Sequence, residues 1–265
     1  MYTGFQLAIK YIRYYKSAAN AKGHGIHSPF VFRFILHVLN NRSGFNPPDS
    51  VEALRKQLLQ DKRLLQIEDF GAGSRVSGSK RRTVSEIAHA ALKSKKYAHL
   101  LFRLVSYYKP QSVLELGTSL GITTAYLAMA NPETTVATIE GSNPIAAIAG
   151  ENFSLLRLAN IQQHCGNFDD ILPSLLQKLP AIELGYIDGN HRYVPTIAYF
   201  HQLLDAVGND TVLVFDDIHW SAEMEKAWEE IKQHPSVKCT IDIFFLGFVF
   251  FRSQFKEKQH FTIRF

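Results

Sequence analysis

Val113-Leu-Glu-Leu-Gly-Thr-Ser-Leu-Gly-Ile-Thr-Thr124 is the stretch that decides the fold. An apolar run carries the acid Glu115, glycines follow at 117 and 121, and an apolar segment of helical character comes next. The pattern reads as a strand, a tight turn and the start of a helix. Glycine lets a backbone approach a ligand closely, and a helix N-terminus offers unpaired N–H groups to it. The spacing, Glu-x-Gly-x-x-x-Gly, differs from the dinucleotide pattern Gly-x-Gly-x-x-Gly. Alone, such a turn is a weak signal, and its surroundings give it meaning.

Downstream, Thr135-Val-Ala-Thr-Ile-Glu140 reads as a second strand with an acid at its tip. In doubly wound folds a carboxylate there accepts ribose hydroxyls. The chain then alternates. Residues 144–158 have helical pattern, 161–165 form a strand ending at Gly166-Asn167, and 169–177 are helical. A strand at 182–188, a helix at 194–206, a strand at 211–217 and a helix at 221–233 follow. Residues 237–244 and 248–252 close as two strands. Alternation of this kind predicts a parallel α/β sheet. The final pair is joined too tightly for a parallel crossover and must be antiparallel.

Composition adds limits. The 265 residues are enough for one large domain or a domain with an extension, and 46% hydrophobic with 20% charged residues is ordinary for a globular protein. No apolar run is long enough to span a bilayer, so no transmembrane segment is expected. The N-terminus lacks the pattern of a signal peptide, and two cysteines do not make a disulfide framework, so a cytoplasmic location is expected. Cys165 reads as a small buried hydrophobe. The net charge of +5 is unevenly spread: residues 1–110 carry +13 and residues 111–265 carry −8. The basic part suits an anionic partner such as nucleic acid, a phosphorylated sugar or a membrane surface, or it is a solvated cap that complements the acidic core.

The basic third reads as helical, over 5–16, 29–39, 51–59 and 87–92. Asp49 with Glu52, and Thr83 with Glu86, read as capping boxes. Gly23-His-Gly-Ile-His27 is a glycine-histidine turn that reads as structural more readily than as a substrate contact. Asp69-Phe-Gly-Ala-Gly-Ser-Arg75, followed by Lys80-Arg81-Arg82, reads as a basic loop, either a phosphate cradle or a lid.

Two strand tips carry the chemistry. One reads Asp188-Gly-Asn-His191 and the other Asp216-Asp217-Ile-His219. Each places a histidine three residues after an aspartate. Tyr186, Tyr193 and Trp220 stand near as candidate apolar walls or as packing.

Residues 97–265 resemble a class I S-adenosylmethionine-dependent methyltransferase, of the O-methyltransferase kind. The resemblance rests on Glu115 to Gly121, on Glu140, on Asn167 after the third strand, and on the closing hairpin. It implies a Rossmann-like α/β fold with a seven-stranded sheet, the last strand antiparallel, plus a helical N-terminal extension over 1–96. It implies S-adenosylmethionine as cofactor, bound by Glu115, Gly117, Thr118, Ser119, Gly121, Glu140, Gly141, Ser142, Asn167, Phe168 and Asp188. In the family the strands ending at Asp188 and Asp216 are neighbours, with ligands beyond their carboxyl ends.

The tips resemble metal-dependent O-methyltransferases acting on catechols and on antibiotic sugars. Asp188, His191, Asp216 and Asp217 match the sugar pattern, whereas the catechol pattern has asparagine where Asp217 stands. The resemblance implies Mg²⁺ or another divalent cation at Asp188, Asp216 and Asp217, with His191 as base. A metal-free route stays open, with Asp188 holding the methionine amine and His191 or His219 as base. So does a bland reading in which the acids only cap strand ends.

The expected partner is a small-molecule hydroxyl acceptor, an anionic one included, and a homodimer is compatible. Nucleic acid is not favoured, because no Asn-Pro-Pro-Tyr-type motif or RNA-binding signature is present. The alternatives are an RNA or other anionic-substrate methyltransferase using the basic half, and an inactive methyltransferase-fold binding module. Co-purified nucleic acid, read from the 260/280 absorbance ratio, separates the first of these.

Overall fold

The computed structural model describes residues 1–23, 25–41, 48–67, 81–179 and 181–265. In chain order its elements are α1 (Gly4–Ser17), α2 (Pro29–Phe34) running into a π-helical turn (Ile35–Leu39), α3 (Asp49–Leu58), β1 (Leu64–Gln66), β2 (Arg81–Thr83), α4 (Val84–Ala91), α5 (Lys95–Tyr108) and β3 (Ser112–Leu116). They continue with α6 (Ile122–Ala130), β4 (Thr135–Glu140), α7 (Asn143–Leu155), β5 (Ile161–Cys165), α8 (Phe168–Leu176), β6 (Ile182–Ile187), α9 (Tyr193–Leu204), β7 (Val207–Asp216), α10 (Ala222–Gln233), β8 (Cys239–Asp242), β9 (Leu246–Phe250) and β10 (Gln259–Thr262). Two compact units result, residues 42–178 and residues 1–41 with 179–265.

In the unit of residues 42–178, β3, β4 and β5 run parallel with β4 in the middle. Val113, Leu114, Leu116, Val136, Ala137 and Ile139 are all buried. Such near-continuous apolar runs suit strands covered on both faces. Val51, Leu54, Leu58, Ile87, Ala98, Leu120, Ile122 and Tyr126 share one core, so the turn after β3 starts from a packed base. The Thr83–Glu86 capping box forms as read: Glu86 N–H donates to Thr83 Oγ1 at 3.2 Å and Thr83 N–H to Glu86 Oε2 at 2.7 Å. The Asp49–Glu52 box does not form. Pro48 is the N-cap of α3 and both acids fall in the first turn, where they face the positive end of the helix. Glu52 instead accepts a hydrogen bond from the Tyr126 hydroxyl and meets His99 and Lys95.

In the other unit the strand order is β10-β8-β9-β7-β6. β9 is antiparallel to both β7 and β8, as the tight link required, while β6 with β7 and β8 with β10 are parallel. Helices α1 and α2 pack here. Phe30 meets Phe250 and Phe255 edge-on, and Phe34 meets Phe248 and Phe250. Tyr14 and Ala18 pack on Phe244. Burying each such ring stabilises the fold by roughly 2–3 kcal/mol.

The expected fold class holds: the strands are mostly parallel and alternate with helices in the Rossmann-like manner. The strand count differs. All seven expected strands are present, and β10 is an eighth, added beside β8. A second correction concerns Cys165, which is exposed and donates its thiol to Asn143 Oδ1 at 2.9 Å. His24 and the loop from Asp69 to Lys80 lie outside the described residues. Among the described residues no helix is long and apolar enough to cross a membrane.

Candidate active site

The turn after β3 is built on positive φ angles. Gly117 has φ 104°, Ser119 48° and Gly121 79°. Gly121 is the N-cap of α6, and a Cβ there would lie 2.5 Å from the Phe153 ring, so any side chain would force that ring to shift. The Gly117 and Thr118 N–H groups both donate to Ile139 O, at 3.0 and 3.2 Å, which ties the turn to the end of β4. Thr118 Oγ1 is 2.6 Å from Thr138 Oγ1.

Glu115 is fully buried, where its carboxylate accepts from the hydroxyls of Thr124 and Thr138. It clamps the first turn of α6 to β4, a supporting position and not one open to solvent.

Glu140 fills the place expected of the second-strand acid. Its Oε2 accepts the Ser119 N–H at 2.8 Å and its Oε1 the Ser142 N–H at 3.0 Å. One carboxylate thereby joins the turn after β3 to the turn after β4. Burial pushes its pKa above the ordinary carboxylate value, more than the backbone N–H groups of Ser142, Ser119 and Gly141 lower it. Ser142 is the N-cap of α7. Asn167 is the exposed N-cap of α8, its Oδ1 3.5 Å from Asp169 N, and the half-buried Phe168 opens that helix. Glu140, Gly141, Ser142, Asn167 and Phe168 all stand where parallel strands β4 and β5 end, the edge at which open α/β sheets bind ligands.

The second constellation lies in the other unit, at the ends of β6 and β7. Asp188, His191 and Asp216 each offer a ligand atom, and these atoms lie within 4.8 Å of one another. Asp216 is buried, and Asp188 and His191 are half-buried. The fully buried Tyr186 donates its hydroxyl to Asp188 Oδ2 at 2.7 Å. His191 Nε2 stands 3.5 Å from Asp188 Oδ1. The turn that presents His191 is fixed by Asn190, at φ 52°, whose amide donates to Tyr199 Oη at 3.2 Å and whose Oδ1 accepts from Arg192 Nε at 2.9 Å.

Asp217 and His219 stand outside this cluster. Asp217 adopts φ 53° and donates its N–H to Phe245 O at 2.7 Å, so the chain turns away at that residue. His219 lies between two acids, with Nε2 2.8 Å from Asp242 Oδ2 and Nδ1 3.1 Å from Glu225 Oε1. Burial works against its charge, but Asp242 and then Glu225 outweigh it and hold its pKa above the usual histidine value. Glu225 also takes Lys10 Nζ at 2.9 Å and the Tyr2 hydroxyl at 2.7 Å, so His219 helps to anchor α1. Sequence spacing carried no signal for Glu225 or Asp242, which come from α10 and β8. The hydroxyl of Tyr186 was also hidden, because alternation marks that residue only as core.

Residues 114–218 match the model of a methyltransferase domain. That match spans less than half of the chain, and the likeness it gives is to methyltransferases in fold. Solved structures share this methyltransferase fold. An O-methyltransferase from Bacillus cereus in complex with SAH is 22% identical, over 61% of this chain and 83% of that one, with a TM-score of 0.53. An O-methyltransferase from Streptomyces achromogenes involved in tomaymycin synthesis, in complex with SAM, is 21% identical over 62% and 83%, with a TM-score of 0.54. An SAH-bound methyltransferase from Podospora anserina aligns more widely, over 86% of this chain and 97% of that one, at 13% identity and a TM-score of 0.62. No curated protein matches by sequence.

Proposed function

We propose that this protein is a methyltransferase that moves a methyl group from S-adenosylmethionine to a hydroxyl of a small-molecule acceptor. The observation that carries the reading is the Asp188, His191 and Asp216 cluster at two strand tips inside the matched domain. That two similar solved structures hold SAM or SAH and are called O-methyltransferases supports the choice of cofactor and of oxygen. A sulfonium methyl is already activated, so the protein has to orient the nucleophile and take its proton.

In this reading Gly117, Thr118, Ser119 and Gly121 receive the amino-acid end of the cofactor, with Glu115 bracing them from behind. Glu140 accepts the ribose hydroxyls, Gly141 and Ser142 lie along the sugar, and Asn167 and Phe168 lie beside the base. Asp188 is held in one orientation by Tyr186. His191, with the Asp188 carboxylate beside it, removes the acceptor proton.

The donor set fits a divalent cation. Its two carboxylates are hard donors, and no thiolate belongs to the cluster. Asp188 and Asp216 would hold such an ion, which would lower the pKa of an acceptor hydroxyl. We leave Asp217 out of this ligand set and assign His219 to anchoring. The 3.5 Å approach of His191 to Asp188 favours a second, metal-free reading in which that pair alone is the base.

The basic residues 1–96 are proposed to serve the acceptor and residues 97–265 the chemistry, which keeps an anionic acceptor in view. The experiment is transfer of labelled methyl to pools of hydroxyl acceptors, with added Mg²⁺ or Mn²⁺ and with chelator. Loss of transfer in chelator, restored by metal, supports the cation. Transfer kept in chelator but lost in His191→Ala supports the metal-free base. Unchanged transfer in both Asp188→Asn and His191→Ala removes the assignment.

A further inference from the structure

Helix α1 has two apolar faces. Leu7, Tyr11, Tyr14 and Ala18 recur at helical spacing and pack with Phe244 and Phe245. Phe5, Ala8, Ile12 and Tyr15 repeat at the same spacing, about a third of a turn round the helix, and all four are exposed. Phe5 is 76% exposed, Ile12 53% and Tyr15 49%. Single exposed apolar residues need no explanation, but an aligned stripe does.

The charge beside the stripe has one sign. Arg13 and Lys16 stand next to it, both exposed, and their side chains make no ion pair among the described residues. Arg264 stacks on Tyr15, 4.9 Å from its ring centre, and adds a further cation at that edge. Helix α1 contains no acid, and the first acidic residue of the chain is Asp49. The acid-free stretch also presents exposed Phe32 and Leu36.

We propose that this face of α1 docks on an anionic lipid surface. Phe5, Ile12 and Tyr15 enter the headgroup boundary, and Arg13 and Lys16 meet the headgroup charge. Charge complementarity selects this occupant. A second copy of the same helix would set cation against cation, with no carboxylate on either side to answer them. A nucleic acid would answer the cations and leave Ile12 and Ala8 without an apolar counterpart. A bilayer boundary satisfies both. The inference does not rest on methyl transfer, and its test does not measure it.

The test is flotation of the full chain with vesicles of phosphatidylcholine alone and with added phosphatidylserine, at low and high salt, beside light scattering. The wild type should float with the anionic vesicles and be released by salt. Phe5→Ser with Ile12→Ser should lower partitioning roughly tenfold or more. Arg13→Gln with Lys16→Gln should lower it roughly tenfold on anionic vesicles and leave neutral ones unaffected. These positions are exposed, and circular dichroism of both pairs confirms that folding is unchanged. Failure of the wild type to float with anionic vesicles overturns the proposal. So does equal binding to neutral vesicles, or a dimer that the Phe5/Ile12 pair dissolves without any vesicle binding.

Discussion

Replacing Gly121 by alanine tests the cofactor turn at its tightest point. Gly121 has φ 79°, a left-handed conformation that costs alanine about 1 kcal/mol or more. The added methyl would also lie 2.5 and 2.8 Å from two carbons of the Phe153 ring and 3.3 Å from Ala149 Cβ. Phe153 is buried, so moving its ring disturbs its packing, and overpacking of this kind costs about 1–3 kcal/mol. The two effects together predict a loss of about 2–4 kcal/mol in stability. Urea unfolding reads that loss, and calorimetry with S-adenosylhomocysteine reads the weakening that a shifted turn should bring. Two further variants separate the causes. Gly121→Asn tolerates the left-handed backbone but keeps the clash, whereas Phe153→Leu in the Gly121→Ala background relieves the clash but keeps the strain. The double variant should recover part of the loss, whereas Gly121→Asn, with a larger side chain against the same ring, should recover at most the strain contribution. Stability of Gly121→Ala within about 0.5 kcal/mol of wild type, with unchanged affinity, would refute the reasoning, since the smallest expected term already exceeds it.

Other expectations follow from particular groups. The folded pKa of His219 lies above its ordinary 6.5, so its contribution to anchoring α1 is full below 6.5 and is lost as pH rises through the folded value. Hydrogen exchange of the α1 amides, corrected for intrinsic rates, should therefore speed up with alkali in wild type but not in His219→Asn. Glu52 has its carboxyl held at about 2: burial opposes this, and hydrogen bonds from Lys95, Tyr126 and His99 outweigh it. Its stabilisation is present above 4.5 and is lost as pH falls towards 2, so Glu52→Gln should cost about 2 kcal/mol at neutral pH and flatten the acid limb of the unfolding curve. Asp188→Asn should cut methyl transfer while leaving S-adenosylhomocysteine affinity within severalfold, and His191→Ala should slow turnover by about 10²–10⁴ with metal binding retained. Removing residues 1–41 should uncover Phe244, Phe248 and Phe250 and cause aggregation on expression, visible by size-exclusion chromatography.

The core of the fold was legible because its local signals agree with its tertiary contacts. The apolar run into Gly117, the polar tip at Glu140 and the short link between the last two expected strands each have one reading that sheet geometry also enforces. β10 was not legible. Gln259–Thr262 is short and mostly polar, and as a strand it pairs along β8. Capping showed the same division. Thr83 adopts the extended backbone that lets its hydroxyl reach Glu86, but Asp49 follows Pro48, which takes the cap position itself.

The candidate site was half legible. Asp188 with His191 and Asp216 with His219 look alike in sequence, yet only the first histidine joins the acids. What separates them is the left-handed turn at Asp217 and the pull of Asp242 and Glu225, residues that spacing cannot bring near His219. Glu115 looked like a ligand contact because it precedes the glycines. In the structure it is fully buried and accepts from two threonine hydroxyls, an environment that spacing alone does not show.

Titration of S-adenosylhomocysteine into the purified chain by calorimetry tests the central claim most directly. The account predicts saturable one-site binding by the wild type. Gly117→Arg, which puts a long side chain where the backbone has φ 104°, should abolish that binding, and Glu140→Ala should weaken it. A wild type that binds nothing at millimolar ligand, or a Gly117→Arg protein that binds as well as the wild type, would contradict it.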